Sequence, residues 1–143
     1  MMRFAIAAGA VAALLVGPAR AQTACNGLMG KDLPQAKVTS ATDMAAGQIG
    51  ACKIDVTADP SPNADIHVEV WIPTGSAWNG RYIQLGAGAI ASGRLQATAA
   101  LGYAVAMSDG GHTTDARRAR LATTSTADIA GTLIVTYQGR PAK

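Results

Sequence analysis

One segment of alternating strand, turn and helix character, residues 78–112, constrains the fold of this chain more than any other part. Residues 81–85 form a short strand candidate that runs into a glycine turn, and residues 89–101 follow as a weakly amphipathic helix candidate. Gly102 then stands where a left-handed helix end favours glycine. Residues 103–107 are a nearly continuous apolar run, which is typical of a strand covered on both faces of a parallel sheet. This order of elements predicts an α/β fold with parallel strands.

Small and polar residues collect where the two predicted strands end. Gly86 and Gly88 lack a Cβ atom, so the backbone N–H groups beside them can approach a ligand closely. Residues 108–112, with the sequence Ser-Asp-Gly-Gly-His, follow the second strand. Open α/β sheets bind their ligands at the carboxyl ends of strands, so these two turns form the candidate site.

The residues before this segment predict a hairpin. Residues 51–57 are the likeliest strand in a region that otherwise looks irregular or extended from Val38, and residues 60–63 favour a turn. Residues 66–72 then alternate apolar and polar side chains, which is typical of a half-buried strand. The alternation puts His67 on the solvated face.

The residues after the polar turn predict a surface segment and then a helix. Residues 113–126 are polar and contain three arginines, so we expect them to be solvated. Residues 127–137 are a helix candidate, and Gly139 and Pro141 are its stop signals. Its apolar face comprises Ile129, Leu133, Ile134 and Tyr137.

Residues 1–21 have the pattern of a secretory signal peptide. A positive start precedes an apolar core at residues 4–17, and residues 19–21 match the small-residue cleavage pattern. The apolar core is too short to span a bilayer comfortably, so a transmembrane anchor is the weaker interpretation. We expect a mature chain of residues 22–143 that is secreted or periplasmic and has no membrane partner. Without the two arginines of the leader the net charge falls from +3 to near neutral, so we expect no nucleic-acid partner.

Cys25 and Cys52 are the only cysteines of the sequence. In an exported chain they make one possible disulfide, which an oxidising compartment allows to persist. A redox or metal pair is the poorer alternative, because there is no CxxC spacing and His67 is the only histidine nearby. We therefore predict a Cys25–Cys52 disulfide and no metal site in this chain.

Three segments resemble one known family. Residues 78–93, WNGRYIQLGAGAIASG, are similar to the WNGRF..VGNGGFAG segment of the tannase and feruloyl esterase family of α/β-hydrolases. Residues 102–112 resemble its GYAVASTDTGH, and residues 132–143 resemble its helix end A.YYGRPPK. The family also has a cysteine near its mature start and a second one in a CKV strand, like Cys52 here. The resemblance implies that residues 22–143 are the amino-terminal part of an α/β-hydrolase domain, an incomplete sheet made of the hairpin and the first parallel strands and helices.

The same resemblance implies roles for individual residues. The GNGG segment of the family falls on residues 86–89, which makes Gly88 and Ala89 candidates for the backbone donors of an oxyanion hole. Asp109 and His112 match a loop near the site whose Asp and His are not the catalytic pair. Asp109 is therefore expected to orient its turn, and His112 to lie behind the site or on its substrate side. The family binds calcium in a lid domain that this sequence does not include, so no cofactor is expected in this chain.

The serine elbow on which the family depends is missing from the sequence. There is no GxSxG pattern and no Cys-Ser-Thr-Gly elbow, so no catalytic residue is assigned to this chain. By resemblance, the full-length form would be a secreted serine esterase that cleaves small aromatic-acid esters, whereas the chain alone is expected to hydrolyse none. A sheet cut before its central strand would also leave an unpaired edge and an uncovered apolar face, which predicts poor stability.

Two other classes of protein stay open on the residues alone. Gly86-x-Gly88-x-x-Ala91 follows a strand and opens a helix, and Asp109 comes after the next strand, so the pattern also fits a dinucleotide-binding turn. Export argues against that function, because nicotinamide cofactors are scarce outside the cytoplasm. The second class is a secreted binding module without catalysis. The glycine turn could equally hold no ligand.

Overall fold

The computed structural model describes residues 23–61, 64–86, 89–110 and 116–143, and for residues 116–124 it describes the backbone alone. The predicted leader, residues 1–21, lies outside this part of the chain. The described elements are β1 (Asp32–Leu33), β2 (Ala36–Ala46), β3 (Ile49–Ala58), β4 (Ile66–Pro73), β5 (Tyr82–Gln84), α1 (Ser92–Ala100), β6 (Ala104–Ser108) and α2 (Ala116–Gln138), with 3-10 turns at Cys25–Leu28 and Gly75–Ala77.

The strands form one mixed sheet in the order β1-β2-β3-β4-β6-β5. Strands β1 to β4 pair antiparallel in succession, and β4 pairs antiparallel with β6. Only the pair β5 and β6 is parallel among the described strands, and α1 is the crossover between them. The predicted mixture of a hairpin, β3 with β4, and a parallel strand pair is therefore confirmed.

Strand β2 is the largest element that the sequence did not predict. It pairs with β3 along nearly its whole length, and a register shift between Val38 and Ser40 interrupts the ladder. Such a bulge breaks the alternation of inward and outward side chains, which is the sequence signal for a strand. Most of β2 is polar or alanine and at least partly exposed, so its residues carry little hydrophobic pattern.

Both faces of the central strands are covered. On one face Val68 and Val70 of β4 pack into the larger core cluster with Leu133 of α2. On the other face Trp71 packs with Leu95 of α1. The expectation of a half-buried β4 was therefore wrong from Val68 onward, because α1 covers the face that the alternation marked as solvated. The expected uncovered apolar face is likewise absent from the described residues, although β5 remains an edge strand.

Helix α2 begins eleven residues earlier than predicted, since part of the expected surface segment, residues 113–126, is already helical from Ala116. Alanine and arginine favour the helix intrinsically, so a polar composition does not exclude one. The predicted apolar face is correct, because its four members are all buried: Ile129, Leu133, Ile134 and Tyr137. Within the described residues, no helix is long and apolar enough to cross a membrane.

Two local predictions are confirmed in the structure. Gly102 follows α1 with a left-handed φ of 85°, as the helix-end pattern indicated. Cys25 and Cys52 form a disulfide with their Cα atoms 5.5 Å apart, and both residues are buried. The bond ties the first 3-10 turn to β3 and so anchors the start of the described chain on the sheet.

Candidate functional site

The site is built on one edge of the sheet. Strands β5 and β6 are parallel, so both carboxyl ends reach the same edge, and α1 begins there because it follows β5. Strand β4 runs in the opposite direction beside β6, which brings its first residues to this edge as well. We call the resulting group the carboxyl-end corner: Leu85, Gly86, residues 89–92, His67, Ser108 and Asp109.

Two described residues of the glycine segment, Gly86 and Ala89, follow β5. The amide of Leu85 still donates to the carbonyl of Ala106 at 2.9 Å, so the ladder with β6 persists to this residue. Gly86 and Ala89 are exposed, and a Cβ atom built on Gly86 would meet no heavy atom within 4 Å. No described residue accepts a hydrogen bond from the amide of either residue. Of the two oxyanion-hole candidates, Ala89 lies at this open face, and Gly88 lies outside the described residues.

Asp109 joins the corner to β4. The residue is 8% exposed, and its Oδ1 atom accepts a hydrogen bond from the backbone amide of His67 at 3.1 Å. The amide of Asp109 in turn donates to the carbonyl of His67 at 3.0 Å. These two bonds fix Asp109 against β4, and its orienting role in the turn stays a prediction. The other site-loop candidate, His112, lies outside the described residues.

Two further polar residues of the described corner are Ser108 and His67. Ser108 is 3% exposed and lies opposite Val68 in the sheet. The imidazole of His67 is exposed, as predicted, and its Nε2 atom lies 3.7 Å from Oδ1 of the exposed Asp65. The part of the chain that the structure describes brings together no group of three or more His, Cys, Asp or Glu residues able to hold a metal ion.

Glu69 is a buried carboxylate that the sequence did not single out. It is 4% exposed and lies on the α1 side of β4. Its Oε1 atom accepts the indole N–H of Trp71 at 2.6 Å, and its Oε2 atom accepts the hydroxyl of Ser92 at 2.7 Å. Ser92 is the first residue of α1, so this carboxylate connects the middle of the sheet to the corner. The only available signal was the alternation that placed Glu69 and Trp71 on one face.

Lys53 places a positive charge beside Glu69. Its Nζ atom lies 3.6 Å from Oε2 of Glu69 and 2.9 Å from Oδ1 of Asp55. Partial burial by itself would lower the pKa of the Lys53 ammonium. The hydrogen bonds to Asp55 and Glu69 and the charges of these two carboxylates together outweigh that effect, so the pKa is raised above its ordinary value. The lysine thus remains a cation beside the buried carboxylate throughout the neutral range.

The motif Trp78-Asn79-Gly80-Arg81 positions the start of β5. The indole N–H of buried Trp78 donates to the carbonyl of Arg81 at 3.0 Å. The side-chain oxygen of Asn79 accepts a hydrogen bond from the backbone amide of Arg81 at 2.9 Å. The backbone amide of Asn79 donates to the carbonyl of Gly102 at 2.8 Å. The guanidinium carbon Cζ of Arg140 lies over the ring of Trp78, 4.9 Å from its centre. These contacts give the motif a structural role that sets where β5 enters the sheet.

Comparison with known proteins identifies the class to which this chain is related. No protein-family model matches the chain. In sequence it is 36% identical over 119 aligned positions to an uncharacterized esterase of Xanthomonas campestris pv. campestris. The match covers 72% of this chain and 20% of that protein, so the chain spans about a fifth of the curated relative.

One solved structure shares the fold of this chain. The crystal structure of an esterase from Aspergillus oryzae matches with a TM-score of 0.66 at 17% identity, over 83% of this chain and 30% of that one. At this identity the likeness shows the fold alone. A tannin acyl hydrolase from Aspergillus niger gives a TM-score of 0.41 at 18% identity, over 58% of this chain and 19% of that one. That score is too low to indicate a shared fold.

The mixed sheet and its carboxyl-end corner therefore belong to a chain related to the esterases. More narrowly, the sequence relative is itself an esterase, so the resemblance of this chain to an esterase family is confirmed, and the chain matches about a fifth of that relative.

Proposed function

We propose that this chain is the amino-terminal part of an exported serine esterase that cleaves esters of aromatic acids. In this proposal residues 1–21 are the signal peptide, and residues 22–143 begin an α/β-hydrolase domain whose sheet is incomplete. The nucleophilic serine, its histidine and its aspartate lie in the rest of the full-length protein. Any calcium would bind there too, in a lid domain. This chain contributes the oxyanion side of the site.

The exposure of Gly86 and Ala89 at the carboxyl-end corner is the observation that carries the proposal. Acyl transfer needs backbone N–H groups that are already oriented toward the charge that develops on the substrate oxygen. The exposed positions Gly86 and Ala89 come shortly after β5 in the sequence, on either side of Gly88, the other candidate donor. A corner filled by side chains would have had no room for that oxygen. Here a Cβ atom on Gly86 would meet no neighbour within 4 Å.

Export and the aromatic-acid specificity are proposed from different observations. The Cys25–Cys52 disulfide is consistent with an oxidising compartment, as in the extracellular space or the periplasm. The aromatic acid is proposed from the resemblance to tannases and feruloyl esterases at residues 78–93 and 102–112.

The dinucleotide alternative gains no support at Asp109. A ribose-binding acid has to present its carboxylate to two sugar hydroxyls. Asp109 is 8% exposed, and one of its oxygens accepts the amide of His67. The carboxylate that a ribose would need is thus already hydrogen-bonded to the backbone at the start of β4.

Expression of two forms from the natural gene tests the proposal. One form ends at Lys143, and the other continues along the reading frame. Both are assayed with methyl gallate, methyl ferulate and an alkyl ester, and both are treated with a serine-directed phosphonate label. We expect turnover and labelling only in the longer form, with the aromatic esters preferred.

Two results would contradict the proposal, and they are distinct. Turnover by the form ending at Lys143, lost on substituting one of its own serines, would show that the nucleophile lies in this chain. A reading frame that ends at Lys143 in an inactive protein would favour the binding module instead. A nucleotide titration of the shorter form tests the dinucleotide alternative, for which we expect no binding.

A further inference from the structure

Helix α1 begins without a local cap. Its N-cap residue is Ala91, which has no side chain able to accept the first amides of the helix, and no acidic residue lies in the first turn. Helix starts normally use a Ser, Thr, Asp or Asn side chain for this purpose. The position of the first turn of α1 must therefore depend on contacts with the rest of the protein.

Those contacts come from the sheet beneath the helix. Glu69 accepts the hydroxyl of Ser92 at 2.7 Å, and the thioether sulfur of Met107 accepts the amide of Ala91 at 3.4 Å. Both acceptors are buried, at 4% and 3% exposure. The carboxylate is the stronger acceptor, since hydrogen bonds to a charged group contribute about twice as much as neutral ones. Its negative charge near the start of a helix is also favourable for the helix dipole.

Glu69 is itself held in place from three directions. The indole of Trp71 donates to its other oxygen at 2.6 Å, Lys53 provides a positive charge at 3.6 Å, and the carboxylate is anchored on β4 in the middle of the sheet. A side chain so constrained has little freedom to follow the helix. The fixed carboxylate therefore determines the position of the first turn of α1.

From this geometry we propose that Glu69 is a positioning residue for the oxyanion side of the site, acting through Ser92 to fix Ala91 and the exposed Ala89 at the carboxyl-end corner. The inference rests on the proposed function, because it assumes that this turn receives the substrate oxygen. Glu69 contacts no substrate in this role. It fixes the direction in which the amides near the start of α1 point.

Amide hydrogen exchange in the 143-residue chain, measured by nuclear magnetic resonance, tests the inference without any ester. In Ser92→Ala we expect exchange at the amide of Ala91 to be faster by about tenfold or more, because the link to the carboxylate is lost. The conservative variant Ser92→Thr keeps the hydroxyl and should restore slow exchange. The amide of Leu85, bonded to Ala106 across β5 and β6, should not change in either variant.

Two further measurements separate positioning from a general loss of structure. Thr98→Ala is the matched control, because the hydroxyl of Thr98 donates to the carbonyl of Arg94 within the same helix and not to the sheet residues described. It should leave Ala91 unchanged. The indole N–H resonance of Trp71 should shift in Glu69→Gln, whereas that of Trp78, which donates to Arg81, should not.

The inference is overturned if Ser92→Ala and Thr98→Ala affect Ala91 equally, or if neither affects it. It is also overturned if the amide of Ala91 already exchanges at the unprotected rate in the unsubstituted chain. An inactive full-length protein with the predicted exchange pattern would instead reject the proposed function and leave the coupling of Glu69 to the helix start intact.

Discussion

Asp109 and His67 are joined by two hydrogen bonds, one from each backbone amide. The side chain of Asp109 accepts the amide of His67 at 3.1 Å, and the amide of Asp109 donates to the carbonyl of His67 at 3.0 Å. The bond from the amide of Asp109 continues the ladder between β4 and β6 one residue beyond its last pair, Val68 and Ser108. The bond from the amide of His67 ends on the side chain of Asp109 and not on a backbone carbonyl. The carboxyl-end corner is thus held together at the point where the chain leaves the sheet.

This relationship predicts how substitutions of Asp109 affect stability. Asp109→Ala removes a buried acceptor, so we expect the free energy of unfolding to fall by about 1 to 3 kcal/mol. Asp109→Asn keeps an acceptor oxygen and should cost less. Urea denaturation measures both values. The control is Asp65→Ala, since Asp65 is an exposed partner of the same His67 and its loss should change stability by less than about 0.5 kcal/mol. Equal effects of Asp109→Ala and Asp65→Ala would contradict the assigned role.

The sequence predicted those features that depend on local pattern. The parallel pair β5 and β6, the hairpin, and the left-handed Gly102 each follow from periodicity or from the conformational range of one residue. The exposure of Gly86 after β5 could also be predicted, because a glycine at a strand end leaves the backbone accessible.

The missed features depend on what packs over a residue. Glu69 looked solvated, because a single strand cannot reveal that α1 lies on its polar face. The hydrogen bond from Ser92 joins residues 23 positions apart, and no spacing in the sequence encodes it. The bulge near Val38 likewise hid β2 by breaking its alternation. Burial of polar residues is thus the property that a single sequence conveys least.

The disulfide should contribute strongly to stability. Cys25 and Cys52 are separated by 27 positions. Closing a loop of this length lowers the entropy of the unfolded chain, which raises the free energy of unfolding by about 3 to 4 kcal/mol in the chain-entropy model. We expect a double Cys→Ser variant to lose about that amount in urea denaturation. Reduction of the unsubstituted chain should have a similar effect, and reduction of the double variant should have none. A loss below about 1 kcal/mol would show that the first turn is held mainly by its other contacts.

Two glycines provide a matched pair that distinguishes a structural glycine from one that leaves room for a ligand. Gly102 has a φ of 85°, and a Cβ atom there would lie 2.8 Å from the carbonyl oxygen of Ala77. Gly102→Ala should therefore destabilise the chain by more than about 1 kcal/mol. Gly86→Ala meets no neighbour within 4 Å and should change stability by less than about 1 kcal/mol in either direction.

In the full-length esterase that we propose, Gly86→Ala should nevertheless lower kcat/KM, because the new methyl group occupies the open face of the turn. Thermal unfolding and ester turnover, measured on the same two variants, check both halves of this prediction. A Gly86→Ala enzyme with unchanged turnover would mean that the substrate oxygen approaches elsewhere.

The alkaline limit of stability should depend on Tyr82. Partial burial raises the pKa of its phenol above the ordinary value of 10.0, and the hydroxyl donates to the side-chain oxygen of Gln84 at 3.3 Å. The unfolded chain then releases this proton at a lower pH than the folded chain does. Stability must therefore fall as the pH rises above about 10, at no more than about 1.4 kcal/mol per pH unit for one proton.

Lys53 acts in the same direction, because its pKa is also raised and the stability it contributes is lost as the pH rises through that raised pKa. Tyr82→Phe should consequently reduce the alkaline fall in stability without abolishing it, and adding Lys53→Met should reduce it further. Urea denaturation at several pH values between about 9 and 11 gives the slopes. Near neutral pH the phenylalanine variant should differ from the parent chain only by the loss of the hydrogen bond to Gln84, which costs about 1 kcal/mol. An identical alkaline slope in the two proteins would mean that Tyr82 is as accessible to water when folded as when unfolded.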